Sequence, residues 1–413
     1  MELDGVAQPA SVDIEQLHGA DVVVGVLAAH GNGDAAATAA LIREAETLTQ
    51  RRAVLVVNNG TTGARLEQDQ SSLPILYCNL GQAESGQAWL QTTFESYHAL
   101  FDVSSRIGAR ACGVIASDLH AVTARWFDSL LGPSLELGFD LVAPNYARHK
   151  WEGLLNRSIL SPLNRALYGK RIQNPMGPDF GLSGKLLDSV MEDRARIRHA
   201  NPTQTFVPIV SAAVRGNFQV CQSNLGARPH LPGDLMNLST LLAEILDPIF
   251  FDMDRNAAVW QRVRGSQPVP LFGDPAPAPE PSAPVDVHRL IDSFHLGVTS
   301  LQDVWGLVLP PTTLFEIRKM TRLLPEKFHM PDELWAGIVY DFALAHRMRT
   351  ISRDHLLRSF TPLYLGWIAS YATEMETADP AMVEERFERL ARAYETGKPY
   401  LVSRWRWPDR FNP

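Results

Sequence analysis

The chain has 413 residues, of which 45% are hydrophobic and 20% charged, and a formal net charge of −8. These values suit a soluble globular protein of one large and one small domain, or two medium ones. The negative balance argues against a broad nucleic-acid surface, which needs clustered positive charge, but leaves room for a local basic pocket.

No run approaches the roughly 18 apolar residues needed to cross a membrane. Met1 to Ala20 is acidic and polar and lacks the basic start and apolar core of a signal peptide. A cytoplasmic location is therefore expected. Cys78, Cys112 and Cys221 lie far apart in apolar surroundings, as expected of buried thiols in a reducing compartment.

In chain order, Asp21–Leu27 reads as a buried, valine-rich strand, and Ala35–Gln50 as a helix of small residues. Ala53–Asn58 is a second strand ending in the turn chemistry of Asn58-Asn59-Gly60. Ile75–Asn79 is a candidate third. A helix is expected over Trp89–Gly108, a strand over Ala111–Ala116, a helix over Thr123–Gly138 and a strand over Asp140–Pro144. Strands alternating with helices imply a mostly parallel sheet covered on both faces. Ligands of such sheets sit beyond the carboxyl ends of strands. Chemistry is therefore sought after Leu27, Asn58, Ala116 and Pro144.

Between Pro268 and Pro284, seven of seventeen residues are proline. This composition predicts a semi-rigid linker or surface crossing rather than a folded element. The expected organisation is residues 1–267 as an α/β domain, 268–284 as linker and 285–413 as a helical region. In the last, Pro331-Asp332-Glu333 marks a helix start, and Ser352 and Asp379 are expected N-caps. Trp335, Tyr340, Phe342, Phe360, Tyr364, Trp367 and Tyr371 recur at helical spacings and read as a helical core. The tail is also a candidate surface for homo-oligomerisation.

Gly31-Asn32-Gly33-Asp34-Ala35-Ala36, after the first strand, fits a G-x-G-x-x-A dinucleotide fingerprint. The acidic residue that would take the ribose hydroxyls of NAD is replaced by Asn58, so a generic strand-to-helix turn is favoured. Ala116-Ser117-Asp118-Leu119 places a carboxylate just past a buried strand. There it can hold a divalent ion, and through it a diphosphate, or cap the following helix. Residues alone leave these two readings even.

Further segments follow in order. They are Leu141-Val142-Ala143-Pro144-Asn145-Tyr146-Ala147-Arg148-His149-Lys150 and Pro162-Leu163-Asn164-Arg165-Ala166-Leu167-Tyr168-Gly169-Lys170-Arg171. Then come Gly177-Pro178-Asp179-Phe180-Gly181-Leu182-Ser183-Gly184 and Ser223-Asn224-Leu225-Gly226-Ala227-Arg228-Pro229-His230. At these residues, from roughly Asp21 to Phe250, the sequence resembles family 2-like glycosyltransferases of the glucosylglycerate, mannosylglycerate and glucosyl-phosphoglycerate synthase group. The resemblance continues into Pro331-Asp332-Glu333-Leu334-Trp335 and Thr361-Pro362-Leu363-Tyr364-Leu365-Gly366.

The resemblance implies a GT-A fold: an α/β, Rossmann-like, mostly parallel sheet with a helical C-terminal extension. It implies transfer of a hexose from a nucleoside-diphosphate sugar to a small acidic acceptor such as a glycerate. Asp118 matches the last aspartate of the family's Asp-x-Asp motif, and His230 the histidine completing a Mg²⁺ or Mn²⁺ site. Arg148, His149 and Lys150 fall where acceptor or phosphate groups are handled, and Asp179 where donor sugar or acceptor is met. The catalytic candidates are thus Asp179 and Arg148. The candidates for holding the nucleotide sugar are Asn32, Asn58, Ser117, Asp118 and Lys150. For Arg148–Lys150 a solvated charge cluster, and for Asp179 a turn residue, remain equal alternatives.

The chain also departs from the pattern. Ala116 stands for the first aspartate. The family's Gly-Lys-Gly loop is expected near Ser96–Phe101, where this chain has no lysine. An acidic segment is replaced by Gln204-Thr205-Phe206-Val207-Pro208-Ile209. Losing one such contact commonly costs orders of magnitude in rate. A catalytically inactive, ligand-binding or partner-binding protein of the same fold is therefore the alternative.

Overall fold

The computed structural model describes residues 17, 19–27, 35–58, 72–78, 94–116, 122–197, 209–227, 238–279 and 285–407. Its first strand, β1 (Val22–Val26), is buried along its whole length. β-Branched side chains crowd a helix but pack well on a pleated surface, so a run of four valines around Gly25 extends. The further strands are β2 (Ala53–Asn58), β3 (Ile75–Cys78), β4 (Ala111–Ile115), β5 (Leu141–Ala147), β6 (Lys170–Arg171), β7 (Phe180–Ser183), β8 (Val220–Ala227), β9 (Gln267–Pro268) and β10 (Leu271–Phe272).

Eight of these form one sheet in the order β10-β8-β5-β7-β4-β1-β2-β3. All neighbours are parallel except β7, which runs antiparallel to both β4 and β5. This is the mostly parallel α/β sheet expected, with β1, β2, β4 and β5 together in it. The expected helices shift slightly. Ala35–Ala45 is followed by a 3-10 turn at Glu46–Arg51, and Phe94–Ile107 and Ala124–Glu136 cover the other two segments. The last of these lies hard on the sheet: a Cβ at Gly181 of β7 would overlap the Leu130 carbonyl. Leu48, Leu55, Ile115, Trp126, Phe127 and Leu130 belong to one buried cluster against this face.

The chain divides into two units, each discontinuous in sequence. One comprises Met1–Ala147, Asn174–Pro229 and Val269–Pro279; the other comprises Arg148–Gln173, His230–Pro268 and Glu280–Pro413. The proline-rich stretch is not devoid of structure. Its Leu271–Phe272 adds an edge strand parallel to β8, a position where flanking prolines cost no interior ladder bond.

Among its described residues the second unit's secondary structure is helical apart from the short β6–β9 pair. Its main helices are Leu238–Arg255, Val287–Ser300, Asp332–Met348, Thr361–Met375 and Pro380–Arg406. The expected caps form: Ser352 accepts from His355 N–H, and Asp379 from Met382 N–H. All seven aromatic residues expected as a helical core are buried. Trp367 stacks on Tyr371 with ring centroids 5.4 Å apart.

A π-helical turn at Asn156–Leu160 leaves the Ser158 carbonyl to accept from Trp335 Nε1 at 3.1 Å and Tyr394 OH at 2.9 Å. Buried ion pairs lock the last helix. Arg165 makes a forked contact with Glu388, at 2.6 and 3.0 Å, and reaches Glu395 at 2.9 Å. The Arg165 hydrogen bond holds the Glu388 carboxyl down at about 2. Arg386 lies between Asp332, at 2.7 Å, and Glu374, at 2.6 Å.

Candidate functional site

The chain order reverses across β1: β2 and β3 lie on one side, β4 on the other. In such sheets the crevice outside the carboxyl ends at the reversal is where ligands bind. Here those ends are Val26 of β1 and Ile115 of β4, which stand opposite each other in register. The candidates Asn32, Ser117 and Asp118 follow these two strands but lie outside the described residues, as does His230. Asn58 is the last residue of β2, opposite Cys78 of β3.

Asp179 stands at the same edge. It immediately precedes β7, whose antiparallel direction brings its first residue, Phe180, opposite Val114 of β4. Its side chain has no exposed surface. One carboxylate oxygen accepts the Ala116 N–H at 2.9 Å, and the other accepts the hydroxyl of Tyr146 on β5. Tyr146 is a participant that the sequence reading passed over, although it lies inside the segment singled out at Leu141–Lys150.

The neighbouring strand ends are joined through amides. Asn145 Nδ2 donates to Asn224 Oδ1 at 2.7 Å, and Asn224 Nδ2 donates to the Gly273 carbonyl at 2.8 Å. Asp274 beside it pairs with Arg125. Past Asn224, β8 carries one extra residue relative to β5, and Gly226 has φ +84°. That backbone is easy for glycine and strained for other residues, so β8 bends as it reaches its end.

The basic segment belongs to the helical unit. Lys150 Nζ donates to the carbonyls of Met375 at 2.9 Å, Glu376 at 2.8 Å and Ala378 at 3.3 Å. An ammonium has three N–H donors, so all of them are engaged at the end of the Thr361–Met375 helix. Tyr371 OH returns a bond to the Lys150 carbonyl at 2.9 Å. The Arg148 guanidinium packs over Gly153, where a Cβ would overlap it and φ is +63°. His149 Nδ1 accepts weakly from Trp151 N–H at 3.4 Å, and the His149 N–H donates to Glu152 at 3.1 Å.

Ser96–Phe101, where the resemblance would put the family's Gly-Lys-Gly loop, lies inside the Phe94–Ile107 helix, within the helix expected over Trp89–Gly108. Ser96 and Tyr97 are buried there, and Tyr97 stacks on Phe180 at 5.8 Å. A cavity of about 40 Å³ lies against Tyr97, Leu141, Pro144, Gly177, Phe180 and Ile209. That is room for water but far below the roughly 300 Å³ of a small-molecule site. Burial pushes the thiols of Cys112 and Cys221 up to about 12, which keeps both protonated near neutrality. Among the described residues no group of three or more His, Cys, Asp or Glu could hold a metal ion.

No family model matches the chain, and no curated protein matches it. Among solved structures it is similar to glucosyl-3-phosphoglycerate synthase from Mycobacterium tuberculosis. The complex of that protein with Mn²⁺, uridine diphosphate and phosphoglyceric acid is 17% identical, with 60% of this chain and 84% of that chain covered at a TM-score of 0.41. The complex with Mn²⁺, UDP-glucose and phosphoglyceric acid is 16% identical, with 65% and 96% covered at a TM-score of 0.38. An overlap this loose assigns no residue a role. Among the described residues no helix is long and apolar enough to cross a membrane.

Proposed function

We propose that the chain is a GT-A-type glycosyltransferase. It moves a hexose from a nucleoside-diphosphate sugar to a small acidic acceptor such as a glycerate. The observation that carries this reading is the strand order. An antiparallel β7 is wedged between β4 and β5 in an otherwise parallel sheet whose order reverses at β1. β1 and β4, which precede Asn32, Ser117 and Asp118 in the chain, and β2, which ends at Asn58, run parallel in that sheet. The ordered motifs that resemble the glucosylglycerate and glucosyl-phosphoglycerate synthase group point the same way.

In this reading Asn32, Asn58, Ser117 and Asp118 hold the nucleotide, and Arg148 meets the acid group of the acceptor. Asp118 and His230 would hold a divalent ion, which neutralises the leaving diphosphate when bound. The test is a thermal-shift screen of UDP-, GDP- and ADP-linked hexoses with and without Mn²⁺. A ligand of the native state raises stability by about 2.7 kcal/mol at a hundredfold excess over its dissociation constant. Positive donors are then assayed for turnover with small hydroxy acids. Metal-dependent turnover abolished by Asp118→Ala is the expected result; no stabilisation by any nucleotide rejects the reading.

A second reading, a catalytically inactive ligand-binding protein of the same fold, is favoured by the engagement of Lys150. Its ammonium is fully occupied by helix-end carbonyls, and Ala116 supplies no carboxylate. Nucleotide binding without turnover for any donor and acceptor pair would select it.

A further inference from the structure

Because β7 separates β4 from β5, no backbone ladder joins those two strands where they end. The β4–β7 ladder stops at the Val114–Phe180 pair. Continuing the antiparallel register would set Pro178 opposite Ala116, and proline has no N–H to offer a ladder. Ala116 is nevertheless only 2% exposed, and a buried N–H without an acceptor costs about as much as a lost hydrogen bond. Asp179 supplies the acceptor at 2.9 Å. Its second oxygen takes the hydroxyl of Tyr146, which is 8% exposed on β5. One fully buried carboxylate thus ties together two strand ends that the sheet itself leaves unjoined. Charge-assisted bonds of this kind are roughly twice as strong as neutral ones.

We propose that Asp179 is a positioning residue: it clamps the carboxyl ends of β4 and β5 to each other. The consequence for nucleotide binding rests on the transferase reading; the clamp itself does not. The resemblance implies a catalytic role for Asp179, with a turn residue as the equal alternative. A carboxylate acting on the substrate would act by its charge, whereas a clamp acts by its hydrogen bonds. Asparagine separates the two. Its Oδ1 can still accept from Ala116 N–H, and its amide can donate to the Tyr146 oxygen, so the connectivity survives while the charge is lost. Alanine removes both.

The experiment uses the full-length protein as wild type, Asp179→Asn, Asp179→Ala and Tyr146→Phe. Hydrogen exchange is followed at the Ala116 amide and in β1, and UDP with Mn²⁺ is titrated calorimetrically. Asp179→Ala should speed exchange at Ala116 about tenfold or more, as expected for loss of a buried acceptor, while β1 stays protected. It should also weaken UDP binding by a similar factor, with Asp179→Asn within about threefold of wild type in both measurements. Unchanged protection at Ala116 in Asp179→Ala refutes the clamp. So does UDP binding lost equally in Asp179→Asn with Ala116 still protected, because the charge would then be acting on the ligand. If the wild type does not bind UDP, the transferase reading fails alone and the exchange measurement still decides the clamp. Should Asp179→Ala not fold, Tyr146→Phe decides it. Freeing the carboxylate from β5 must speed exchange at Ala116, and no change overturns the proposal.

Discussion

Asp341 places a carboxyl group in the helical core, and its removal should leave a measurable pH signature. The residue is 2% exposed on the Asp332–Met348 helix and accepts from Tyr400 OH at 2.6 Å. Burial pushes its carboxyl from an ordinary 3.8 to about 7, against the Tyr400 hydrogen bond and the nearby Arg404 guanidinium, which both pull it down. A carboxyl whose folded value is raised holds its proton more tightly in the native state. Its contribution is therefore favourable below the unfolded value near 4 and is lost as pH rises towards 7, after which it is flat. One pKa unit corresponds to about 1.4 kcal/mol, so a shift of this size makes the ionised group cost the fold about 4 kcal/mol at and above neutrality. Between pH 5 and pH 8 the change is about 2–3 kcal/mol. Asp341→Asn keeps the shape and a partner for Tyr400 but does not titrate. Urea denaturation of both proteins across pH 4 to 9 isolates the term, because every other group titrates alike in both and cancels in the difference. The mutant should gain on the wild type by about 2–3 kcal/mol from pH 5 to pH 8. Parallel stability curves would show that the carboxyl is not held neutral by burial, and the reasoning would be wrong.

Gly181→Ala should destabilise the α/β unit by about 1–3 kcal/mol, read as a lower urea midpoint, because the new Cβ meets the Leu130 carbonyl. Arg386→Met should cost about 3–5 kcal/mol by leaving Asp332 and Glu374 without their buried cation. The triple variant Arg386→Met, Asp332→Asn, Glu374→Gln should recover much of that loss in the same assay; no recovery would mean that the packing of Arg386, not its charge, matters. Lys150→Met should destabilise the helical unit by about 1–3 kcal/mol, since three helix-end carbonyls lose their donor. An unchanged melting temperature would show that water replaces the ammonium at no cost.

What the sequence determined by itself is the parallel half of the sheet and the helix starts. β1, β2 and β4 are continuous apolar runs buried on both faces, and that patterning has few other solutions in a chain that alternates strand and helix. Ser352 and Asp379 were legible as caps because a cap bonds an N–H three residues away, which is a local event. β7 was not legible: Phe180-Gly181-Leu182-Ser183 is only four residues long and interrupted by glycine. β8 hides behind the polar run Gln222, Ser223 and Asn224, of which Asn224 finds Asn145 and the Gly273 carbonyl only once the sheet has formed.

The site was legible as an edge but not as a set of contacts. Asp179 read equally as a turn residue, and the tertiary structure alone brings it to Ala116, 63 residues back in the chain. Lys150 read as part of a basic patch for phosphate, and folding turns it into a cap on a helix 225 residues further on. Sequence spacing constrains what a residue meets within one turn of helix or one strand pair. Which carbonyl a buried ammonium finds, or which N–H a buried carboxylate must satisfy, is settled only when distant segments pack and water is excluded, because only then does an unmet hydrogen bond carry its full cost.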